Sequence, residues 1–320
     1  KMLTTLPDSQ RYLLVPEGQP VPQGLDEDVS ILQEPLQNIY LVASGAMDMF
    51  ASLGAVDQIR FSGQKQENWY IQTAKDAMAA GDMIYAGKYS KPDYELLVSE
   101  GCDLAIENRM ITHSPEVVEM LQSFDIPVMI EYSSYEQHPL GKVEWVKFFG
   151  ALTGKEAKAE EAFAEQTEIL EEVESGEKTG KTIAFFYVTS NGLIQVRQST
   201  DYIPKLIELA GGRYIFENLE DSGSGRSTLN MQVEDFYAGA KDADILIYNS
   251  SIDGGVTTVD ELIGKCNILK DFKAVQEGQV YCTTNDMYQQ SMAVGYLLQD
   301  MHTVLTDDDT AKLRYLFLLQ

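Results

Sequence analysis

Residues 131–154, EYSSYEQHPLGKVEWVKFFGALTG, lie where two patterns meet. Just before them Ile126-Pro127-Val128-Met129-Ile130 forms a short apolar run of strand length. Glu131 to His138 then crowds tyrosines, serines, glutamates and a histidine into one loop. Beyond Pro139-Leu140-Gly141, Val143, Val146, Phe149 and Leu152 recur at helical spacing, and Ala159, Ala162, Phe163, Thr167 and Leu170 continue it. The spacing predicts one long connecting helix over 142–176, weakened locally by Gly150 and Gly154 and ended by Gly176 to Gly180. Glu160, Glu161, Glu171, Glu172 and Glu174 coat it as a solvated face.

On either side of this helix, short apolar runs alternate with helical patterns. Upstream they are 39–43, 58–61, 83–87, 103–106 and 128–130. Downstream they are 182–188, 213–216, 244–248 and 279–282. Such alternation calls for βαβ units around mainly parallel sheets, so the fold class is α/β, as lobe, long helix, lobe. Residues 7–36, rich in proline, acids and glutamine, read as an extended arm. The expected domains are an arm over 1–38, a first lobe over 39–141, the connecting helix over 142–176 and a second lobe over 177–320.

The 320 residues carry a formal charge of −26. A surface so acidic repels nucleic-acid phosphates and anionic bilayers alike. No apolar run approaches the roughly 18 residues of a membrane span. Cys102, Cys266 and Cys282 are too few and too scattered for a disulfide framework or a zinc knuckle, and Cys102 and Cys282 flank strand-like runs as small hydrophobes. Lys1 opens the chain with no apolar leader, so either the protein is cytosolic or a targeting segment was removed before this numbering.

The two halves echo each other. Glu95, in PDYELL, stands on the first turn of a helix that runs into GCDLAI; Glu234, in QVEDFY, stands likewise before AKDADILI. With DYIPKLIELAGGRYIF (201–216), STLNMQVEDFYAGAKDADILIYN (227–249) and FKAVQEGQVYCTTNDMY (272–288), these stretches make the chain resemble, from about Ile39 to its end, the substrate-binding proteins of ABC importers that carry ferric siderophores, haem or cobalamin. The resemblance implies two Rossmann-like lobes bridged by one backbone helix, ligand held in a cleft between them, and only modest lobe movement. It implies docking of Glu95 and Glu234 on arginines of a permease that works with an ATPase. It also implies a monomer, tethered by lipid to the outer face of the cell membrane, its signal segment absent from this chain. Helix-terminal carboxylates favoured by the macrodipole are the plainer reading of the two glutamates.

Ligands of open α/β sheets bind beyond the carboxyl ends of strands, a rule that selects loops without the resemblance. From those loops come the candidate ligand contacts Ser44, Trp69, Tyr70, Tyr89, Arg109, Tyr132, Ser133, His138, Arg197, Tyr202 and Tyr288. Aromatic walls with sparse polar anchors suit a bulky, partly apolar ligand. Arginine is scarce, yet Arg60, Arg109, Arg197 and Arg226 fall in or near these loops. Guanidinium grips carboxylate, phosphate or catecholate oxygens in two-point fashion, the alternative being an ion pair with an acidic neighbour. His113, His138 and His302 do not make the ligand set of a bare-metal importer; His138 alone could touch ligand or a haem or cobalamin metal. No nucleophile elbow, phosphate loop or Cys–His pairing appears, SGSGR at 222–226 reads as a mobile loop, and no enzyme or resident cofactor is expected. The cargo expected is an iron chelate, ferric siderophore before haem before cobalamin. A cytosolic metallocluster enzyme on the same two-lobed plan would want cysteines or histidines on these loops, and only Cys282 reaches one. A lobe pair with no transport role is a third reading.

Overall fold

The computed structural model describes residues 1–6, 8–220, 227–252, 255–307 and 310–320. Its chain divides into two units. The first holds Lys1–Ser134, Glu144–Phe163 and Gln289–Met292; the second holds Tyr135–Val143, Ala164–Tyr288 and Ala293–Gln320.

Strands of the first unit are β1 (Met2–Thr4), β2 (Arg11–Val15), β3 (Val29–Gln33), β4 (Ile39–Leu41), β5 (Ile59–Ser62), β6 (Ile84–Tyr85), β7 (Gly87–Lys88), β8 (Lys91–Pro92), β9 (Leu104–Asn108) and β10 (Val128–Glu131). Its main sheet has the order β10-β9-β4-β5-β6, and every pairing in it is parallel. Parallel strands need helical crossovers, so both faces are covered and the strands read as continuous apolar runs. Ile39, Leu41, Leu104, Ile106 and Met129 enter one core, with the helix Ala46–Leu53 and Trp145, Val146 and Phe149. Tyr40, Phe61, Ala105 and Val128 enter the other, with Leu97 and Leu121 from the helices Tyr94–Ser99 and Pro115–Ser123.

The expected extended arm is instead a small sheet, β1-β2-β3. Along Arg11–Val15 the side chains alternate, and Tyr12, Leu14 and Leu32 fill the same core as Ile39 and Phe50. The Tyr12 hydroxyl donates to the Val128 carbonyl at 3.1 Å. The period-two signal was hidden among the prolines and acids that separate β2 from β3.

The second unit holds β11 (Thr182–Val188), β12 (Ile194–Arg197), β13 (Arg213–Tyr214), β14 (Thr228–Met231), β15 (Ile245–Tyr248), β16 (Val280–Thr283) and β17 (Leu316–Leu318). Its sheet runs β14-β12-β11-β15-β16-β17, with β13 also paired to the start of β11. The centre is parallel, β13, β11, β15 and β16, while β12, β14 and β17 are antiparallel additions. One face packs Phe186, Val196, Leu246 and Tyr248 against Phe236 and Phe272, whose rings stack with centroids 5.5 Å apart.

The connecting helix expected over 142–176 is broken. It is two helices, Pro139–Thr153 and Glu156–Glu174. Gly154 turns the chain at φ +68°, a conformation that suits a residue without Cβ, and the Lys155 N–H bonds back to the Gly150 carbonyl at 2.7 Å. Gly150 faces Ala159 so closely that a Cβ on it would lie 2.4 Å from the alanine methyl. Gly150→Val is therefore expected to lower stability by about 2 kcal/mol or more, through overpacking of this corner. Urea unfolding of the variant beside wild type checks it; an unchanged midpoint would contradict the close packing.

Candidate functional site

Numbered by chain order, the five parallel strands of the first unit read 5-4-1-2-3, and crossovers leave in opposite directions from β4 and from β9. In open α/β sheets ligands bind beyond the strand ends at such a reversal. The N–H groups of Val42 and Ala43 both donate to the Ile106 carbonyl, at 2.9 and 3.2 Å, which pins the exit of β4 beside that of β9. Ser44, half-buried, follows one exit and Arg109, half-buried, follows the other. Asn108 shapes the second turn by accepting the Met110 N–H at 2.8 Å. Tyr132 leaves the next strand over, and its hydroxyl donates to Asp8 Oδ2 at 3.0 Å. Burial and that carboxylate push the Tyr132 hydroxyl up to about 12, against the pull of the nearby Arg109 charge. Ser44, Arg109 and Tyr132 thus gather at neighbouring strand ends.

Other candidates of this unit fall elsewhere. Trp69 is not a ligand wall: it is wholly buried, its ring lies in the core, and its Nε1 donates to Ser62 Oγ at 3.0 Å. Ser133 is also wholly buried, its backbone N–H held by Glu131 Oε1 at 2.6 Å. Tyr70 is 48% exposed, with the Lys75 ammonium 5.8 Å from its ring centre. Tyr89 is half-buried against the second core of the unit. Arg60 is engaged by Glu100 and by the Gly81 and Asp82 carbonyls, away from any strand exit. Gln289, which the sequence does not single out, clasps the 68–70 segment: its amide donates to the Asn68 carbonyl and accepts the Tyr70 N–H, both at 2.8 Å.

Polar groups of the second unit concentrate beneath the ends of β12, β15 and β16. Arg197 is buried, 3.3 Å from Asp201 Oδ2 and bonded to the Tyr288 hydroxyl, its guanidinium carbon 5.8 Å from the Phe185 ring centre and 5.4 Å from that of Tyr288. Its charge is matched inside the unit, so it is the ion pair rather than a free anion hook. Asn249 donates to the same Tyr288 hydroxyl at 2.7 Å. Asp201 also caps the helix Tyr202–Leu209 by accepting the Ile203 N–H at 3.0 Å, and burial raises its pKa against the pull of Arg197. Tyr202 is 5% exposed, so it packs rather than projects; the Lys142 ammonium stands 5.4 Å from its ring. Tyr288, half-buried, remains at the exit loop of β16.

His138 lies at the rim of a cavity of about 520 Å³ that Asp201, Pro204, Lys205 and Tyr214 also line, and its Nδ1 accepts the Leu140 N–H at 3.2 Å. Arg226 and the 222–226 segment fall outside the described residues. Glu95 and Glu234 are both exposed on the first turn of their helices, one in each unit. Among the described residues no three His, Cys, Asp or Glu side chains stand together as metal ligands, and no helix is long and apolar enough to cross a membrane.

Glu107 has no counterpart in the sequence reading. It lies on β9, fully buried, and neither carboxyl oxygen has a hydrogen-bond partner. Burial alone pushes its pKa up to about 8. An acid whose folded pKa lies above its unfolded value of about 4.3 favours the fold below that value and loses this contribution as pH rises toward the folded pKa. Between pH 4.5 and 8 wild type should therefore lose stability that Glu107→Gln keeps, leaving the variant more stable at pH 8 by roughly 2 kcal/mol or more. Denaturant titrations across that range decide it, and parallel profiles for the two proteins would refute the assignment.

With this geometry stands the comparison with known proteins. The profile of the periplasmic binding protein family matches residues 41–287, and the chain belongs to that family. It is a family of substrate-binding proteins, not enzymes, and implies a small-molecule ligand and an ABC-transporter partner. An uncharacterized lipoprotein of Methanocaldococcus jannaschii is 25% identical over 316 residues, 92% of this chain and 72% of that protein. A solved periplasmic haem-binding protein of Vibrio cholerae superposes with TM-score 0.65 at 14% identity, covering 83% of this chain and 98% of its own. A solved periplasmic catecholate-siderophore-binding protein of the same organism gives TM-score 0.65 at 13% identity, covering 84% and 94%.

Proposed function

We propose that the chain captures an iron chelate outside the cytoplasm, a ferric siderophore first among candidates, and delivers it to the permease and ATPase of an ABC importer. The observation that carries this reading is the strand crossover of the first unit, where Ser44, Arg109 and Tyr132 share one set of strand exits in a chain of a binding-protein family. Arg109 offers a planar cation for carboxylate or catecholate oxygens, and exposed Tyr70 offers aromatic surface. The catecholate-siderophore protein of similar fold supports the first choice of cargo. Haem is the second reading, supported by the haem-binding protein of similar fold; cobalamin would serve in the same role. The metal is cargo carried inside its chelate, so the reading requires no resident cofactor. Relatives called lipoproteins support a lipid anchor on the outer face of the cell membrane. The carrier acts as a monomer.

Titration with ferric enterobactin, haemin and cyanocobalamin, followed by calorimetry, is expected to give saturable binding by one of them. Saturation by free zinc with no response to any chelate would overturn the reading. Delivery has its own test. Glu95→Ala with Glu234→Ala should leave chelate affinity within about twofold of wild type, since both side chains are exposed. The same double variant should lose uptake through the permease. Undiminished uptake would remove the docking role from both glutamates.

A further inference from the structure

The helix Tyr94–Ser99 and the helix Pro115–Ser123 both cover the second core of the first unit, yet each also turns apolar side chains to solvent. Val98 is 47% exposed, Met120 44% and Phe124 44%. Tyr94 and Val98 are one helical turn apart, as are Met120 and Phe124, so each pair shares a face. The two faces meet where the Tyr94 and Phe124 rings lie 6.1 Å apart. These four side chains form one patch, and large apolar side chains clustered in this way mark interaction sites. Glu95, Glu116, Glu119 and Asp125, all exposed, rim it. Glu116 is near enough to Tyr94 to help raise its hydroxyl pKa, behind burial.

Charge selects the occupant. The two helices and their ends carry the exposed acids Asp93, Glu95, Glu116, Glu119 and Asp125 and no lysine or arginine, so a second copy seated on this face would bring like charges together. An anionic bilayer is repelled for the same reason. What remains complementary is a protein surface with an apolar centre and a basic rim. We propose that Tyr94, Val98, Met120 and Phe124 form the apolar centre of a docking surface for the permease, with Glu95 as part of its charged edge. The proposal rests on the delivery reading above and extends it from a charge contact to a desolvated patch. Apolar anchors at the centre of an interface carry most of its binding energy, whereas rim charges mainly steer approach.

The test is photocrosslinking in cells of the source organism, with benzoylphenylalanine placed singly at Val98, Phe124, Glu95 and, as a control, Val21, which is 41% exposed on the same unit. Crosslinks from positions 98 and 124 to an ABC permease identified by mass spectrometry, and none from 21, are expected. Val98→Ser with Phe124→Ser should slow uptake about tenfold or more at unchanged chelate affinity. Crosslinking from 95 but not from 98 or 124, or normal uptake by the double serine variant, would overturn the patch and leave delivery standing. Crosslinks from 98 and 124 only to another copy of this chain, or to lipid, would overturn the patch as well. Silence at 95, 98 and 124 alike, with chelate binding intact, would overturn the delivery reading and the patch together.

Discussion

The Ile106 carbonyl accepts two backbone N–H groups, from Val42 and Ala43, and that shared bond ties the exit of β4 to the exit of β9. Because the two strands then continue to opposite faces of the sheet, their first loop residues part there. Ser44 and Arg109 owe their proximity to this crossover and not to any closeness in sequence. The rest of the unit serves the same constraint: a parallel sheet buried on both faces stays in register only if both cores are filled, and residues as distant as Leu14 and Phe149 fill one of them.

The two units treat buried charge in opposite ways. In the second, Arg197 is met by Asp201 and by the Tyr288 hydroxyl, and Asn249 completes the set around that hydroxyl. A pair of this kind adds little net stability, since desolvation offsets attraction, but it fixes the direction in which Tyr288 points. In the first unit, Glu107 lies in the layer between sheet and helices with no hydrogen-bond partner, close enough for the Tyr40 and Tyr94 hydroxyls to sense its charge. One arrangement defines a geometry; the other stores an instability.

Much of the fold was legible because parallel, doubly buried strands announce themselves. The runs at β4, β9, β11, β15 and β16 are apolar on both faces and needed no partner to be recognised. The antiparallel strands β12, β14 and β17 were not legible, for IQVR, TLNM and LFL become strands only through the neighbours they pair with. The break at Gly154 was visible as a weakness of the helix but not as a corner, because its geometry depends on Gly150 meeting Ala159. At the site, loop positions such as Ser44, Arg109 and Tyr132 followed from strand polarity alone. Side-chain direction did not: nothing in the order of residues around Trp69 says that its ring turns inward to Ser62 while Tyr70 turns out.

The small sheet at the amino end bears on where this protein begins as a folding object. The family's shared pattern starts at residue 41, yet Tyr12, Leu14, Leu32 and Leu36 are built into the core ahead of it. A fragment cut to the shared pattern would lose those side chains from the core that Leu41 and Met129 also line. The matched span and the packed unit therefore have different edges, and Tyr12, Leu14, Leu32 and Leu36 belong to the packed unit.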